Sequence, residues 1–337
     1  MLQKRNEISP VSRGYCKQEK IDVIKGVLIL LVIIGHILPG QLQENFVRYF
    51  IYSFHMPVFF AVSGYLVNID RLRESNASQF CKKYGARVVI PWLIAIQVYY
   101  ILNCALSFNS VSLKMYLSQY IYPFYHLWYV IGFMFCVCSL RLIEKIYKDN
   151  NKRLAIFFLI ISIILGVSFE VVPYIIQNGI IGRLINIVVY SVRPQYLMFF
   201  SLGLCMKLTR PNIRDRIALA GIIIFAVAEC VLFAIDSGIA VELDVIKWLL
   251  SLMVILLLYI YREGEISGRP FLKFCGVNSF PIYLWHIIGK QIALYITADS
   301  YNVIYYILCV LWCILLFAFI KQTSSNKSIL IKLLSGV

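Results

Sequence analysis

Apolar residues recur along the chain in long stretches, separated by short polar connections. Ten stretches of roughly 18 to 23 residues can be drawn, each close to the length an α-helix needs to cross a hydrocarbon core about 30 Å thick. They cover residues 23–40, 48–67, 87–106, 124–141, 154–174, 185–206, 216–235, 244–261, 277–297 and 302–320. The pattern predicts an all-α integral membrane protein, a bundle of about ten transmembrane helices.

Composition agrees with this class. Hydrophobic residues make up 61% of the chain and charged residues 15%, with a mean hydropathy of +0.79, against roughly 45 to 50% and 25% in soluble domains. In 337 residues the ten stretches leave no room for a soluble domain of ordinary size. We expect a tail at 1–22, one transmembrane domain at 23–320 and a second tail at 321–337.

Basic residues fix the predicted orientation. Clusters of Lys and Arg occupy the N-terminal tail, every second connection and the C-terminal tail, so the positive-inside rule places both termini in the cytoplasm. The opposite connections carry few basic residues, namely Arg48, Lys114, Arg183 and Lys247. The net charge of +15 therefore reflects the basic residues of the predicted cytoplasmic segments. No nucleic-acid partner is expected. The predicted location is the inner (plasma) membrane, as a multi-pass protein whose first helix is retained.

Two ionisable residues lie on the first stretch. Lys25 and His36 are eleven positions apart, which places them on one helix face about 16 Å from each other along the axis. Asp22 is close enough to pair with Lys25. The predicted orientation puts Lys25 at the cytoplasmic mouth and His36 near the outer face. A snorkelling anchor at Lys25 and a packing histidine at position 36 are the alternatives, but ionisable groups inside membranes usually mark a functional site.

Two more histidines join His36 at the predicted outer face. His55 opens the second stretch, before the helix-bending Pro57, and His126 opens the fourth. A base of near-neutral pKa is what proton transfer from a hydroxyl needs, and histidine supplies it. A carboxylate is often used to orient such a histidine, and Glu170 and Glu229 are the membrane candidates.

Other polar residues line predicted helix faces. The ninth stretch carries a stripe composed of Ser279, Tyr283, His286 and Lys290. Arg193 precedes the helix-bending Pro194. Tyr125 and Trp128 suit either stacking on a sugar ring or an interfacial aromatic belt.

Arg87 lies level with Lys25 at the cytoplasmic side. Two cations at one mouth suit an anionic ligand, and ordinary positive-inside anchors are the alternative.

The ten cysteines offer no paired set in the outer connections, so neither a disulfide framework nor a metal site is expected.

Together these motifs resemble the integral-membrane acyltransferases of the acyltransferase-3 type, and most closely the branch of fucose 4-O-acetylase-like and polysaccharide O-acyltransferases. The resemblance covers nearly the whole chain, including the transmembrane domain 23–320. Its motifs are Lys25 and His36 with ten residues between them, Tyr52 to Pro57, Phe59-Phe60, Ser63-Gly64-Tyr65, Arg87 to Pro91, His126-Leu127-Trp128, and the late Ser279, Tyr283-Leu284 and His286.

The resemblance implies transfer of an acyl group, usually acetyl, from cytoplasmic acyl-CoA to a glycan hydroxyl across the membrane. Acyl-CoA is then a co-substrate, no tightly bound cofactor is expected, and the other partners are a glycan or lipid-linked oligosaccharide and membrane lipid. Lys25 stands where much of the family has arginine, so a point charge replaces a bidentate grip on phosphate.

Three groups of site residues follow from the motifs and from this resemblance. His36 is assigned as general base, with His55 and His126 as catalytic partners. The acyl-CoA site is predicted at Lys25, Arg87, Tyr283 and His286. The acceptor site is predicted at Ser53, Tyr125, Trp128 and Arg193.

Two other functions compete with this hypothesis. A polysaccharide or lipid-linked sugar transporter would use the histidines as proton relays, although we detect no internal repeat of the kind many transporters carry. A non-enzymatic receptor would leave the polar stripes inside the membrane unexplained.

Overall fold

The computed structural model describes residues 10–107, 112–147, 150–235, 240–262 and 269–323, and within these ranges it is helical, without strands. The helices are α1 (Pro10–Ile37), α2 (Phe46–Leu66), α3 (Ile69–Glu74), α4 (Ala77–Tyr84), α5 (Ile90–Ser107), α6 (Leu113–Ile121), α7 (Trp128–Ile143), α8 (Asn151–Ile175), α9 (Gly179–Ser191), α10 (Leu197–Thr209), α11 (Asp215–Ile235), α12 (Ala240–Ile260), α13 (Pro270–Val277), α14 (Ser279–Trp285), α15 (Ile287–Thr297) and α16 (Val303–Thr323). A π-helical turn, Gly85–Val89, joins α4 to α5, and a 3₁₀ turn, Pro194–Tyr196, precedes α10.

Several helices have the length and apolarity of membrane spans. Within the described ranges, four qualify on their own: Ala77–Leu106, Asn151–Ile175, Asp215–Ile235 and Val303–Thr323. A fifth span results if α9 and the segment Pro194–Thr209, bent by 49°, are counted together. Their outer faces expose large apolar side chains, such as Ile223 and Ile224 on α11, which suits contact with lipid. The described part of the chain is thus all-helical and has the composition of a multi-pass membrane protein, whereas the count of ten spans and the cytoplasmic termini stay predictions.

Two of the predicted spans are broken near polar residues. The sixth bends at Arg193, whose φ of 50° is left-handed, immediately before Pro194. The ninth is divided into α14 and α15 at His286. Breaks of this kind are tolerated within a membrane where protein groups or a cavity satisfy the freed backbone.

Two glycines bring α2 and α10 into close contact. Gly64 of α2 faces the Phe200 carbonyl of α10, and Gly203 of α10 faces the Ala61 carbonyl of α2. A β-carbon at either glycine would overlap the opposite backbone. Small residues at such crossings let membrane helices approach closely, so Gly64 and Gly203 serve the packing of α2 on α10.

A buried carboxylate ties α3 to α7 at the predicted cytoplasmic side. Glu144 accepts a hydrogen bond of 2.7 Å from Arg141 and lies 3.5 Å from Arg73. Arg141 also donates to the Leu72 carbonyl at 2.5 Å. These bonds satisfy a charge that would otherwise be costly to bury, and they fix the connection between α2 and α5.

The apolar interior has two main clusters. One joins α2, α7, α8 and α10 around Phe60, Phe158 and Phe200, and the other joins α1, α5 and α14 around Ile29 and Tyr99. Phe59 of α2 and Tyr129 of α7 pack against both clusters. The candidate active site lies along this boundary.

Candidate active site

His36 is held by the neighbouring helix. It is buried in the last turn of α1, and its Nδ1 lies 2.7 Å from the hydroxyl of Tyr52 on α2. The opposite ring nitrogen, Nε2, forms no hydrogen bond within the described residues. A neutral phenol, and not a carboxylate, therefore orients this histidine.

Three histidines from distant parts of the sequence meet here. The ring centre of His36 lies 5.3 Å from that of His286 and 6.2 Å from that of His126. His126 and His286 are 5.1 Å apart by the same measure. We call these residues the histidine cluster. It contains His286, which the sequence had assigned to the acyl-CoA site.

Hydrogen bonds to backbone carbonyls indicate where the protons of two of these rings reside. His286 Nδ1 is 2.8 Å from the Tyr283 carbonyl, and His126 Nε2 is 3.4 Å from the Leu284 carbonyl. A carbonyl only accepts, so these nitrogens donate. The remaining nitrogens, Nε2 of His286 and Nδ1 of His126, are buried acceptors without a hydrogen-bond partner in the described part of the chain. Both suit a ligand that brings a hydroxyl or amide donor.

The segment before α7 is tied down from two sides. Tyr283 of α14 donates its hydroxyl to the His126 carbonyl, and Trp92 of α5 donates its indole N–H to the Leu127 carbonyl at 3.0 Å. Tyr99 of α5 donates to the Leu284 carbonyl at 2.8 Å. These bonds position His126 without using its side chain.

His55 and Ser53 lie outside the histidine cluster. His55 donates from Nδ1 to the Ile51 carbonyl of its own helix at 2.7 Å, and its ring centre lies 4.9 Å from that of Tyr52. The Ser53 hydroxyl bonds the Phe50 carbonyl, and the Ser53 carbonyl accepts from Ser251 of α12. His55 supports Tyr52, whereas Ser53 serves contact between helices.

A cavity of about 90 Å³ lies beside α1 and begins at Lys25. It is lined by Lys25, Val32, Met56, Phe59, Val62, Ser63, Tyr129, Ser279, Phe280 and Tyr283. The ring of Tyr283 lies 5.1 Å from that of His126, between centres. The lining thus runs from Lys25 to a direct neighbour of the histidine cluster. Lys25 forms the expected ion pair with Asp22, at 2.9 Å.

A second cavity, of about 270 Å³, adjoins the first at Ser63. Its lining includes two cations, Arg71 and Lys83, together with the aromatic residues Phe80, Tyr84 and Phe133. Arg87, which the sequence placed beside Lys25, is exposed on the π-helical turn and lines neither cavity. The hydroxyls of Ser63 and Tyr129, 2.9 Å apart, stand beside the junction.

The structure also separates the residues predicted for the acceptor site from one another. Tyr125 is 43% exposed, and its ring centre lies 4.9 Å from that of His36. Trp128 is buried against Tyr196, with ring centres 5.3 Å apart, and the guanidinium of Arg193 lies 3.9 Å from its ring centre. Tyr125 alone of these three borders the histidine cluster, and Trp128 has no free face for a sugar ring.

Metal binding has no support in the described ranges. No group of three or more His, Cys, Asp or Glu side chains there has an arrangement that could hold a metal ion.

The family model described as an acyltransferase domain matches residues 18–323, nearly the whole chain. The chain belongs to the acyltransferase-3 family. The family resemblance and the prediction of an acyltransferase enzyme are thereby confirmed. This acyltransferase is also similar to two proteins named nodulation protein NolL. It is 38% identical to that of Sinorhizobium fredii over 102 residues, 26% of this chain and 27% of the relative.

The second relative is the nodulation protein NolL of Mesorhizobium japonicum, to which the acyltransferase is 35% identical over 114 residues, 30% of each chain. The matched region thus spans less than a third of either relative. No solved structure matches the acyltransferase.

Proposed function

We propose that this acyltransferase moves an acetyl group from acyl-CoA, bound at the predicted cytoplasmic end, to a glycan hydroxyl at the predicted outer end, with His36 as general base. The observation that carries the proposal is the lining of the smaller cavity. It begins at the cation Lys25 and ends at Tyr283, which contacts His126 in the histidine cluster.

The donor site is proposed to combine both cavities. The phosphates of acyl-CoA are polyanionic, so Arg71 and Lys83 in the larger cavity suit them, with aromatic side chains alongside. Asp22 already balances the charge of Lys25, and the two further cations therefore supply the excess positive charge. The thin pantetheine arm would pass Ser63 into the smaller, mainly apolar cavity and bring the thioester toward the histidines.

The chemical step is an acyl transfer to oxygen. With Nδ1 of His36 donating to the Tyr52 oxygen, Nε2 carries the lone pair that accepts the proton of the acceptor hydroxyl. The hydroxyl oxygen forms a bond to the thioester carbonyl carbon, and the carbon–sulfur bond breaks. The proton on His36 then goes to the leaving CoA thiolate. A positioned base of this kind contributes about 10² to 10⁴ in rate.

The remaining histidines are proposed to hold the reactants. Nε2 of His286 and Nδ1 of His126 are acceptors without partners in the described structure, and each suits a hydroxyl of the sugar or an amide of the pantetheine arm. Their ring centres lie within 6.2 Å of that of His36. The ten spans, the cytoplasmic termini and the inner-membrane location belong to this proposal, because they put the two substrates on opposite sides.

The test uses inverted membrane vesicles, which expose the cytoplasmic face, from cells with and without the protein. Labelled acetyl-CoA is added outside, and mass spectrometry follows acetyl groups on the enclosed envelope glycans. We expect labelled ester only where the protein is present, and its loss in His36→Gln. Unlabelled glycans in vesicles with folded protein would contradict the proposal, and glycan movement without acetyl-CoA would instead support transport.

A further inference from the structure

Two cations at the predicted outer end of the bundle share one phenol. Nη2 of Arg48 donates to the Tyr125 oxygen at 3.2 Å, and Nζ of Lys290 lies 3.5 Å from the same atom. Lys290 also lies 5.2 Å from the centre of the Tyr125 ring. Arg48 comes from α2 and Lys290 from α15, so two distant parts of the sequence converge. We call these three residues the outer cationic mouth.

No carboxylate balances this charge among the described residues. Neither cation forms an ion pair there. Glu44, the carboxylate nearest in sequence to Arg48, instead accepts a hydrogen bond from the Gln41 backbone at 2.7 Å. Two cations that meet at a neutral hydroxyl repel each other, and a negative group at that place would remove the repulsion.

The guanidinium of Arg48 has an unused donor. Nη1 bonds the Gly40 carbonyl and Nη2 bonds Tyr125, but Nε is buried with no hydrogen-bond partner in the described structure. Nε and Nη2 form one edge of the guanidinium fork, which is the edge that binds a carboxylate or phosphate through two parallel bonds. Among the described residues, this edge bonds only the Tyr125 hydroxyl.

Tyr125 itself has a strained backbone. Its φ is 41°, a left-handed conformation that is unfavourable for a residue with a β-carbon. Such residues cluster at ligand sites and at segments that move. Tyr125 is exposed, and its ring lies against that of His36, so its displacement would open both the Arg48 edge and the histidine.

We propose that the outer cationic mouth binds an anionic group of the acceptor, a carboxylate or a phosphate, next to the hydroxyl that is acylated. The anion takes the place of the Tyr125 hydroxyl between Arg48 and Lys290. Tyr52 links this place to the reacting base, because its hydroxyl bonds His36 and the Arg48 guanidinium lies 5.6 Å from its ring centre. The inference rests on the proposed function and adds the acceptor class, an acidic glycan.

The experiment uses the envelope glycan that becomes acetylated in the vesicle assay. One portion stays untreated, a second has its carboxylates reduced to alcohols, and a third has its phosphates removed with aqueous hydrogen fluoride. Purified enzyme in lipid nanodiscs is assayed for acetyl transfer to each portion. We expect one treatment to raise the acceptor KM at least tenfold, which identifies the anion. Equal KM values for all three portions would overturn the inference.

Variants separate binding from folding. Arg48→Gln and Lys290→Gln are each expected to raise the KM for the untreated glycan at least tenfold and to leave the KM for acetyl-CoA unchanged. Arg48→Lys should recover part of the loss. Lys114→Gln, at another exposed cation of a predicted outer connection, is the matched control. Because Arg48 also bonds Gly40, Lys290→Gln decides the question if Arg48→Gln fails to fold, and an unchanged acceptor KM in folded Lys290→Gln would overturn the inference.

The two proposals fail differently in this experiment. If the wild-type enzyme does not acetylate the untreated glycan, the proposed function is wrong. If it acetylates the untreated and the neutralised glycans equally well, the proposed function stands and the acidic acceptor is wrong.

Discussion

The hydroxyl of Tyr52 lies 2.7 Å from Nδ1 of His36, and this contact joins the first two helices at the candidate active site. It fixes the ring orientation and decides which nitrogen is free, as the second partner of a catalytic histidine commonly does. Tyr52 opens the motif that ends at Pro57, of which only Ser53 and His55 were predicted as site residues.

Replacing Tyr52 with Phe removes this bond and keeps the ring. We expect kcat to fall about 100-fold, since misplacement of a reacting group by about 1 Å has an effect of this size, and the KM for acetyl-CoA to change little. Single-turnover kinetics with labelled acetyl-CoA measure the effect. Tyr65→Phe, on the same helix but outside the histidine cluster, is the control, and equal kcat values for the two variants would show that the Tyr52 bond does not matter.

The histidine cluster in the structure contains His286, whereas the catalytic set predicted from sequence contains His55 in its place. His286 contacts His36 and has an unpartnered Nε2, whereas both the ring contact and the hydrogen bond of His55 lie within α2. We expect His286→Gln to lower kcat/KM at least 100-fold and His55→Gln to lower it about tenfold or less. Transfer rates from folded protein, checked by gel filtration in detergent, decide between them. A larger loss in His55→Gln would favour the assignment made from sequence.

The features predictable from the sequence are those that depend on position along a helix. Long apolar stretches indicated the all-helical membrane class, and the eleven-residue spacing of Lys25 and His36 placed both on one face. In the structure Lys25 lines a cavity that reaches Tyr283, a neighbour of His126 in the histidine cluster, while His36 itself is not among the lining residues. The Asp22–Lys25 ion pair was predictable for the same reason, because residues three apart are neighbours on a helix.

Contacts between helices were less predictable, since a helix's own sequence does not fix which face meets which neighbour. Trp128 suited a sugar site or an aromatic belt, yet it packs inside against Tyr196. Arg87 was expected beside Lys25, but α5 begins after a π-helical turn and Arg87 is exposed there. The outer cationic mouth joins residues 48, 125 and 290, and no local pattern relates them.

The crossing of α2 and α10 makes a prediction about stability. A β-carbon on Gly203 would overlap the Ala61 carbonyl, so Gly203→Ala must push the helices apart. Overpacking of this kind costs about 1 to 3 kcal/mol. We expect a lower midpoint in thermal unfolding of the detergent-solubilised protein. Gly85→Ala is the matched control, because a β-carbon there meets no atom within 4 Å, and an equal shift in both variants would contradict the close crossing.

Lys25 tests whether the cavity holds the acyl donor. Lys25→Ala removes a cation at one end of the cavity, far from the proposed base, so we expect the KM for acetyl-CoA to rise about tenfold while kcat at saturating donor stays within about twofold. This split follows because an interaction equally strong in the ground and transition states changes KM alone. Lys25→Arg keeps the charge and should retain function.

The other cations test the same donor site. Arg71→Gln and Lys83→Gln should also raise the donor KM, whereas Arg87→Gln, at a cation outside both cavities, should not. Donor titrations of the nanodisc enzyme at fixed glycan give all five values. An unchanged donor KM in Lys25→Ala would reduce the residue to an interface anchor, and a rise in Arg87→Gln alone would return the phosphate site to the position predicted from sequence.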